Sequence, residues 1–388
     1  MNIIHCVGNE KFIDGIIDVF ELKAGHHVNR YVFFPEGNAD KKLSYLKKNT
    51  DKVSVIDRRK ALQYVNSMPC DVLFFHNLST FPIEDMAKIA PRIKVVWMSW
   101  GYDLYASLKG HRPMIPIQQF LPLTQEALDK DWINRIRMLA KTTRWRLLSY
   151  GEKFETGVHR VDFFSSVIPW EYQEVKKNSF FRAEKVDFTY FDLHPFGTAE
   201  TLSTPAQTGN NILVGNSAGD TNNHLDILDQ LSHYILGDRK LILPLSYAGR
   251  KHYVNLVVAK GKSLFHDRFI PLNTFIPLAE YQSLMSSCGY AIFAIERQQA
   301  LNNVWMALWN GLMVFMSKRS PLYQHLKQQG YLLFTTQDDL HLIAAERHLT
   351  TEEITHNRQV FLQNDSLEIH LQKVERLYQQ LEDSLHTP

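Results

Sequence analysis

A chain of 388 residues allows two to three domains at roughly 150 residues each. Its 45% hydrophobic and 12% aromatic content is enough to fill their cores, which excludes disordered and fibrous classes. Lys and Arg number 43 against 41 Asp and Glu, a net charge of +2 that argues against a protein holding nucleic acid by its phosphates. The three cysteines, Cys6, Cys70 and Cys288, are odd in number and far apart, so neither a disulfide scaffold nor a Cys-rich zinc site is expected.

The start, Met-Asn-Ile-Ile-His-Cys-Val, soon meets Glu10, Lys11 and Asp14 and does not read as a secretory signal, which predicts a cytoplasmic protein. Apolar runs follow at Asn2–Val7, Arg30–Pro35, Val53–Asp57, Asp71–Phe75, Lys94–Trp100 and Val161–Pro169, each bounded by Gly, Asn, Asp or Pro. Short continuous apolar runs separated by ten or more residues read as buried parallel strands joined by helices, and so as a doubly wound α/β domain. From about Arg182 to Asn210 the rhythm stops at His194-Pro195-Phe196-Gly197 and a stretch of Thr, Ser, Ala, Pro and Gly, which predicts a connection between lobes. It restarts with Asn211–Val214, Lys240–Leu245, Leu264–Ile270, Gly289–Ile295, Leu312–Met316 and Leu332–Thr335. Two Rossmann-like lobes with an interlobe cleft are expected: an N-terminal domain over 1–195 and a C-terminal domain over 210–350. Residues 351–388 form terminal helices, opened by the capping box Thr350-x-x-Glu353, that would pack back on the first lobe. The longest charge-free run, Gln298 to Ser317, holds five Gln and Asn side chains and is too polar to span lipid.

In open parallel sheets ligands bind beyond the carboxyl ends of strands, so those ends carry the candidate chemistry. In the first lobe, Asp71–Phe75 delivers His76, and Val95–Trp100 delivers Gly101-Tyr102-Asp103. Asp103 or His76 facing the cleft could take a proton from a hydroxyl acceptor; Asp103 could equally cap the following helix. Between Trp132 and Gly151 lie five cations and no acid. Arg137, Lys141 and Arg144 fall at i, i+4 and i+7, opposite Trp132, Ile136 and Leu139, as in a helix that touches a membrane or an anionic ligand, or as an ordinary solvated basic face.

In the second lobe, Val214-Gly215-Asn216-Ser217-Ala218-Gly219 leads to Asn222 and His224. Two glycines with neutral hydrogen-bonding side chains suit a diphosphate or a sugar, or simply a tight turn with an Asx cap. The loop is neither a Walker A motif nor a dinucleotide fingerprint. Arg297, Gln298, Gln299, Asn302 and Asn303 then mark the expected mouth of a helix beginning near Gln298, where a fixed guanidinium could meet a diphosphate; alternatively Glu296 and Arg297 form a surface pair. Tyr247 could wall the same pocket, and Lys318 and Arg319 add charge at that edge. Metal chemistry has little support: Asp129-Lys130-Asp131 lies in a hydrophilic helical stretch, and the 17 His contain no His-Glu-x-x-His.

Val214-Gly215-Asn216-Ser217, Phe293-Ala294-Ile295-Glu296-Arg297-Gln298-Gln299, Phe334-Thr335-Thr336, Phe74-Phe75-His76 and Trp100-Gly101-Tyr102-Asp103-Leu104-Tyr105 together resemble, in order, the bacterial Fuc4NAc (4-acetamido-4,6-dideoxy-galactosyl) transferases of glycosyltransferase family 56. The resemblance spans roughly residues 71 to 340. It implies a GT-B type fold and transfer from a dTDP-linked sugar to an undecaprenyl-diphosphate-linked saccharide during surface polysaccharide synthesis, as a peripheral protein on the cytoplasmic face of the inner membrane. It places Gly215, Asn216, Ser217, Arg297, Gln298 and Gln299 on the donor side and Asp103 and His76 on the acceptor side. No metal or other cofactor is expected, the nucleotide sugar being a substrate. Where the family has Gly-Ile-Gly-Thr after Arg-Gln-Gln, this chain has Ala300-Leu301-Asn302-Asn303, a change that bears on which sugar is held. The rival readings are a two-lobed nucleotide-sugar epimerase and a non-catalytic two-lobed small-molecule binding protein.

Overall fold

The computed structural model describes residues 1–10, 12–37, 43–108, 111–188, 197–206, 209–274 and 276–386. They fall into two units, each built on an all-parallel sheet.

The first unit comprises Met1–Pro116, Met138–Pro195 and Leu367–Pro388. Its strands are Asn2–Val7 (β1), Val28–Phe33 (β2), Val53–Val55 (β3), Val72–His76 (β4), Lys94–Met98 (β5), Phe163–Ser165 (β6) and Glu184–Lys185 (β7), in the order β3-β2-β1-β4-β5-β6-β7. Ile4 pairs with Arg30 on one side and with Leu73 on the other, so β1 is central and buried from Ile3 to Val7. A strand covered on both faces has no use for alternation, which is why these strands were readable as unbroken apolar runs. β7 is only two residues long and lies inside the stretch read as a connection; no periodicity can show in so short a strand.

The second unit comprises Ile117–Arg137 and Phe196–Ser366. Asn211–Val214 (β8), Leu241–Pro244 (β9), Phe269–Leu272 (β10), Cys288–Phe293 (β11), Met313–Met316 (β12) and Phe334–Thr335 (β13) order as β10-β9-β8-β11-β12-β13. Both sheets thus contain the doubly wound 3-2-1-4-5-6 arrangement, whose direction of winding reverses between β1 and β4 and again between β8 and β11. The run Leu264–Ile270 is divided: Lys251–Phe265 is helical, and the strand begins only at Phe269.

Three segments differ from the sequence expectation. The helix Pro122–Asp129, expected within the N-terminal domain, belongs to the second unit, where Leu123, Ala127 and Leu128 join its core. Of the two tail helices, only Leu367–His386 returns to the first unit, inserting Val374, Leu377, Tyr378 and Leu381 beside Phe20. Full burial of such a side chain contributes about 1.5–3 kcal/mol. Thr351–Asn364 keeps the predicted capping box, with Glu353 N–H donating to Thr350 Oγ1 (3.3 Å) and Thr350 N–H to Glu353 Oε2 (2.9 Å). It stays in the second unit, where Phe361 meets Trp305 and Trp309 edge-on. Residues 189–196 and 207–208 of the predicted connection lie outside the described residues. Its continuation is held to the second unit by Arg358, which donates to the carbonyls of Leu202 (2.9 Å), Thr204 (2.5 Å) and Trp309 (2.8 Å).

Candidate functional site

The winding reversal between β8 and β11 is where two loops leave adjacent strand ends in opposite directions. After β8 the chain turns at Gly215, whose φ of +72° suits glycine. A Cβ there would lie 2.7 Å from His224 Nε2 and 2.9 Å from Asn222 Oδ1. The loop winds around the Asn222 amide. Its Nδ2 donates to the Ser217 carbonyl (3.1 Å), Ser217 Oγ (3.2 Å) and the Gly219 carbonyl (3.1 Å), and its Oδ1 accepts from Asn216 N–H (3.2 Å). Ser217 and Asn222, expected to touch ligand, are buried and shape the loop instead.

The β11 loop is tied to this one by Gln299. Its Oε1 accepts from Thr221 Oγ1 (2.7 Å), and its Nε2 donates to Asn216 Oδ1 (3.2 Å). Ala218 N–H donates to the Tyr247 carbonyl (2.8 Å), bringing in the loop after β9 and leaving the Tyr247 side chain exposed. Thus Gly215, Asn216, Ser217, Asn222, Tyr247 and Gln299 are gathered in one place.

Arg297 does not pair with Glu296. The buried Glu296 carboxylate accepts Arg319 through Nε (3.1 Å) and Nη2 (3.0 Å), plus Ser317 Oγ (2.8 Å). Arg319 is therefore spent on Glu296, and Lys318 on Asp338 at 3.0 Å. Arg297 is half-buried, with Nη1 3.4 Å from the Gln298 carbonyl and its own carbonyl accepting from Ser320 Oγ (3.4 Å). The expected helix mouth is corrected. The helix starts at Leu301 rather than near Gln298, because Ala300 takes a left-handed φ of +67°. Arg297, the buried Gln298 and Gln299 form a turn, while Asn302 and Asn303 occupy the first helical turn, and Asn303 Oδ1 accepts from Tyr281 OH (3.1 Å).

Sequence reasoning missed the residues that brace this corner. Asn223, left-handed and fully buried, accepts Leu121 N–H (2.8 Å) and donates to the carbonyls of Ala294 (2.7 Å) and Gln119 (3.2 Å). Asp226 accepts Leu123 N–H (2.8 Å) and Thr124 N–H (3.0 Å), serving the open amides of the helix Pro122–Asp129. The signal was faint: Asn is the non-glycine residue that best tolerates the left-handed region. His224 is fully buried, neither ring nitrogen has a hydrogen-bond partner among the described residues, and burial pulls its imidazole down to about 3.

The first-unit candidates are placed differently from expectation. His76 ends β4 with no exposed surface, its Nε2 3.0 Å from His5 Nδ1, and burial holds it well below the ordinary imidazole value. Asp103 is buried too. Oδ2 accepts Trp97 Nε1–H (2.7 Å) and Leu78 N–H (3.3 Å), and Oδ1 accepts Trp100 N–H (3.0 Å). Burial lifts its carboxyl to about 6 against these opposing bonds. A general base must reach the proton it removes. In this structure neither side chain reaches solvent, so both are corrected to braces of the strand ends. Nearby Glu171, not foreseen, is fully buried, accepts Tyr105 OH (2.8 Å) and Ile168 N–H (3.2 Å), and is raised by burial to about 7. Arg137, Lys141 and Arg144 lie exposed along the helix Trp132–Leu147. Of the Asp-x-Asp pair, Asp131 accepts Asn134 N–H (3.2 Å). Among the described residues one group has metal-ligating atoms close together, His26, His27 and Glu382 within 4.8 Å, and it belongs to the first unit.

A model of the family described as 4-alpha-L-fucosyltransferase, glycosyl transferase group 56, matches residues 173–370, just over half of the chain. The chain belongs to glycosyltransferase family 56. It is a glycosyltransferase, as the resemblance implied. The match covers the Gly215 and Arg297 motifs and begins after Phe74-Phe75-His76 and Trp100–Tyr105. The fold is similar to that of solved GT-B glycosyltransferases. Anabaena HepE in complex with UDP-glucose superposes with a TM-score of 0.65 at 13% identity, covering 100% of both chains. Sucrose-phosphate synthase from Thermosynechococcus elongatus gives 0.62 at 11%, covering 99% of this chain and 100% of that one. The lipopolysaccharide outer core galactosyltransferase WaaB gives 0.59 at 12%, covering 99% of each.

Proposed function

We propose that this family 56 enzyme moves a 4-acetamido-4,6-dideoxyhexose, or a close relative, from a dTDP-linked donor to a saccharide carried on undecaprenyl diphosphate, at the cytoplasmic face of a bacterial inner membrane and without a metal ion. The observation that carries this reading is the Gln299 bridge. It fastens the Gly215 loop to the turn that begins at Arg297, at the winding reversal where doubly wound sheets take their ligands. A glycine loop permits close approach of a diphosphate to the backbone, and a guanidinium on the neighbouring turn supplies charge. HepE was solved with UDP-glucose, which shares with a dTDP-sugar a pyrimidine, a pentose and a diphosphate.

Glycosyl transfer breaks the bond between the anomeric carbon and the donor phosphate, and negative charge grows on the leaving diphosphate. The Arg297 guanidinium, beside the Gly215 loop, would stabilise that charge. The acceptor hydroxyl's proton goes to a base in an inverting reaction, or to the departing phosphate if configuration is retained. The burial of Asp103 and His76 favours neither as that base.

A thermal-shift panel of UDP, dTDP, GDP and their sugars tests the reading, because a ligand bound only to the folded state raises Tm. dTDP and dTDP-sugars should raise it, and Arg297→Ala should weaken dTDP by about 2–4 kcal/mol, as loss of a charge-assisted pair implies. No response to any nucleoside diphosphate at millimolar concentration would defeat the proposal. Conversion of a donor to a new nucleotide sugar without acceptor would replace it with the epimerase reading.

A further inference from the structure

The helix Trp132–Leu147 carries an apolar surface that nothing in the mechanism uses. At 100° per residue, Trp132, Ile136, Leu139, Thr143 and Leu147 share one stripe about 80° wide. The stripe faces solvent: Trp132 is 65% exposed, Ile136 59%, Leu139 69% and Leu147 82%. Among the described residues, six of the twelve exposed large apolar side chains lie between Trp132 and Leu148, and four of them share the stripe, so this is a patch rather than the ordinary scatter.

Charge flanks the stripe on both sides. Arg144 and, further round, Arg137 lie beyond one edge, Arg135 and Arg146 beyond the other, Lys141 sits nearly opposite the stripe with Nζ over the Trp145 ring (4.6 Å), and no Asp or Glu occurs from Trp132 to Gly151. An apolar seam between two rows of cations is complementary to a surface that is oily beneath and anionic on top, with the long side chains reaching upward. A protein groove receiving the helix would have to match four cations while burying the seam between them. At 1.5 Å per residue the 16 residues extend about 24 Å, a length and charge that suit lying in the interface and not crossing it. No helix among the described residues is long and apolar enough to cross a membrane.

We propose that the helix Trp132–Leu147 is an in-plane docking element for an anionic bilayer, with the Trp132–Ile136–Leu139–Leu147 stripe at the acyl boundary and the four flanking cations, Arg135, Arg137, Arg144 and Arg146, at lipid phosphates. This deepens the reading of a lipid-borne acceptor, but it is testable apart from it, because lipid binding needs neither donor nor acceptor.

The full chain is sedimented with vesicles of phosphatidylcholine alone and with vesicles containing phosphatidylglycerol, at low and high salt. Binding is expected only with phosphatidylglycerol. The double variant Ile136→Glu, Leu139→Glu should abolish it at every salt concentration. The double variant Arg137→Gln, Arg144→Gln should weaken it about twenty-five-fold, at about fivefold per cation near an anionic surface. A nucleotide-induced rise in Tm equal to that of the unaltered chain confirms that each variant is folded; if nucleotides have no effect, circular dichroism serves instead. Wild-type chain that stays in the supernatant with anionic vesicles overturns the proposal, as does binding that survives the stripe variant. Lipid-free self-association lost in the same variants would overturn it in favour of a second copy on this face. Vesicle binding as expected without transfer to a lipid-linked acceptor would sink only the transferase specificity, and transfer to a water-soluble acceptor without vesicle binding would sink only the docking helix.

Discussion

Replacing Glu171 by Gln should stabilise the first unit at pH 8 and reduce its sensitivity to pH. The Glu171 carboxyl rises from 4.5 to about 7 in the folded chain, chiefly through burial. A raised value means that the native state holds a proton the unfolded chain has lost, so stability is greatest below about 4.5 and falls as pH climbs through about 7. At 1.36 kcal/mol per tenfold change, keeping the ionised form buried above that range costs about 3 kcal/mol. The amide cannot ionise. Its carbonyl can accept Ile168 N–H while its NH2 donates to Tyr105 OH, which reproduces the neutral acid at a loss of about 1 kcal/mol for turning the Tyr105 hydroxyl from donor to acceptor. The net expectation is about 2 kcal/mol of stabilisation at pH 8 and about 1 kcal/mol of loss at pH 4.5, so the two stability profiles cross. Hydrogen exchange of β5 and β6 amides follows the first unit separately from the second. Asp103, raised from 3.8 to about 6, should leave the variant a residual slope of the same sign. Parallel profiles, with the same offset at pH 4.5 and pH 8, would refute the reasoning.

Three further outcomes follow from the same contacts. Asp103→Asn places an NH2 among donors that need an acceptor and should cost about 1–3 kcal/mol of stability, with transfer slowed less than fivefold below its melting temperature; a fall of two decades in kcat at unchanged Tm would return Asp103 to the chemistry. Gly215→Ala forces a left-handed alanine against His224 and Asn222, at roughly 1–3 kcal/mol, and should weaken nucleotide binding at least tenfold. An undiminished nucleotide-induced Tm shift in that variant would count against this loop as the diphosphate cradle. Asn223→Ala leaves Leu121 N–H and the Ala294 carbonyl without their buried partner, at about 2–4 kcal/mol, and residues 117–129 should lose exchange protection before the sheet; uniform protection would show that Asn223 is not the pin.

Much of the fold could be read locally because a strand buried on both faces must be apolar along its whole length. Twelve runs found on that basis correspond to twelve of the thirteen strands among the described residues, with ends shifted by a few residues, and of those thirteen the two-residue β7 escaped. The donor-side motifs were readable for a related reason: a doubly wound sheet places its ligand loops directly after its strands, so Gly215 and Arg297 were marked by position as much as by composition. Side-chain partners were a different matter. Glu296 adjoins Arg297 in the chain yet pairs with Arg319, because β11 and β12 are neighbours in the sheet and bring Arg319 alongside.

The amino-acid order by itself determined the two α/β units, the family, the loops that gather near Gly215, and the basic, apolar-striped helix from Trp132 to Leu147. Only the tertiary structure decided that the helix Pro122–Asp129 belongs to the second unit, that the last helix returns to the first, and that His76 and Asp103 are enclosed. Periodicity and turn chemistry act over a few residues and leave a local trace. Burial and pairing depend on residues a hundred or more positions away: Asn223 meets Leu121, Asp226 meets Thr124 and Tyr378 meets Phe20 only once the chain has closed on itself.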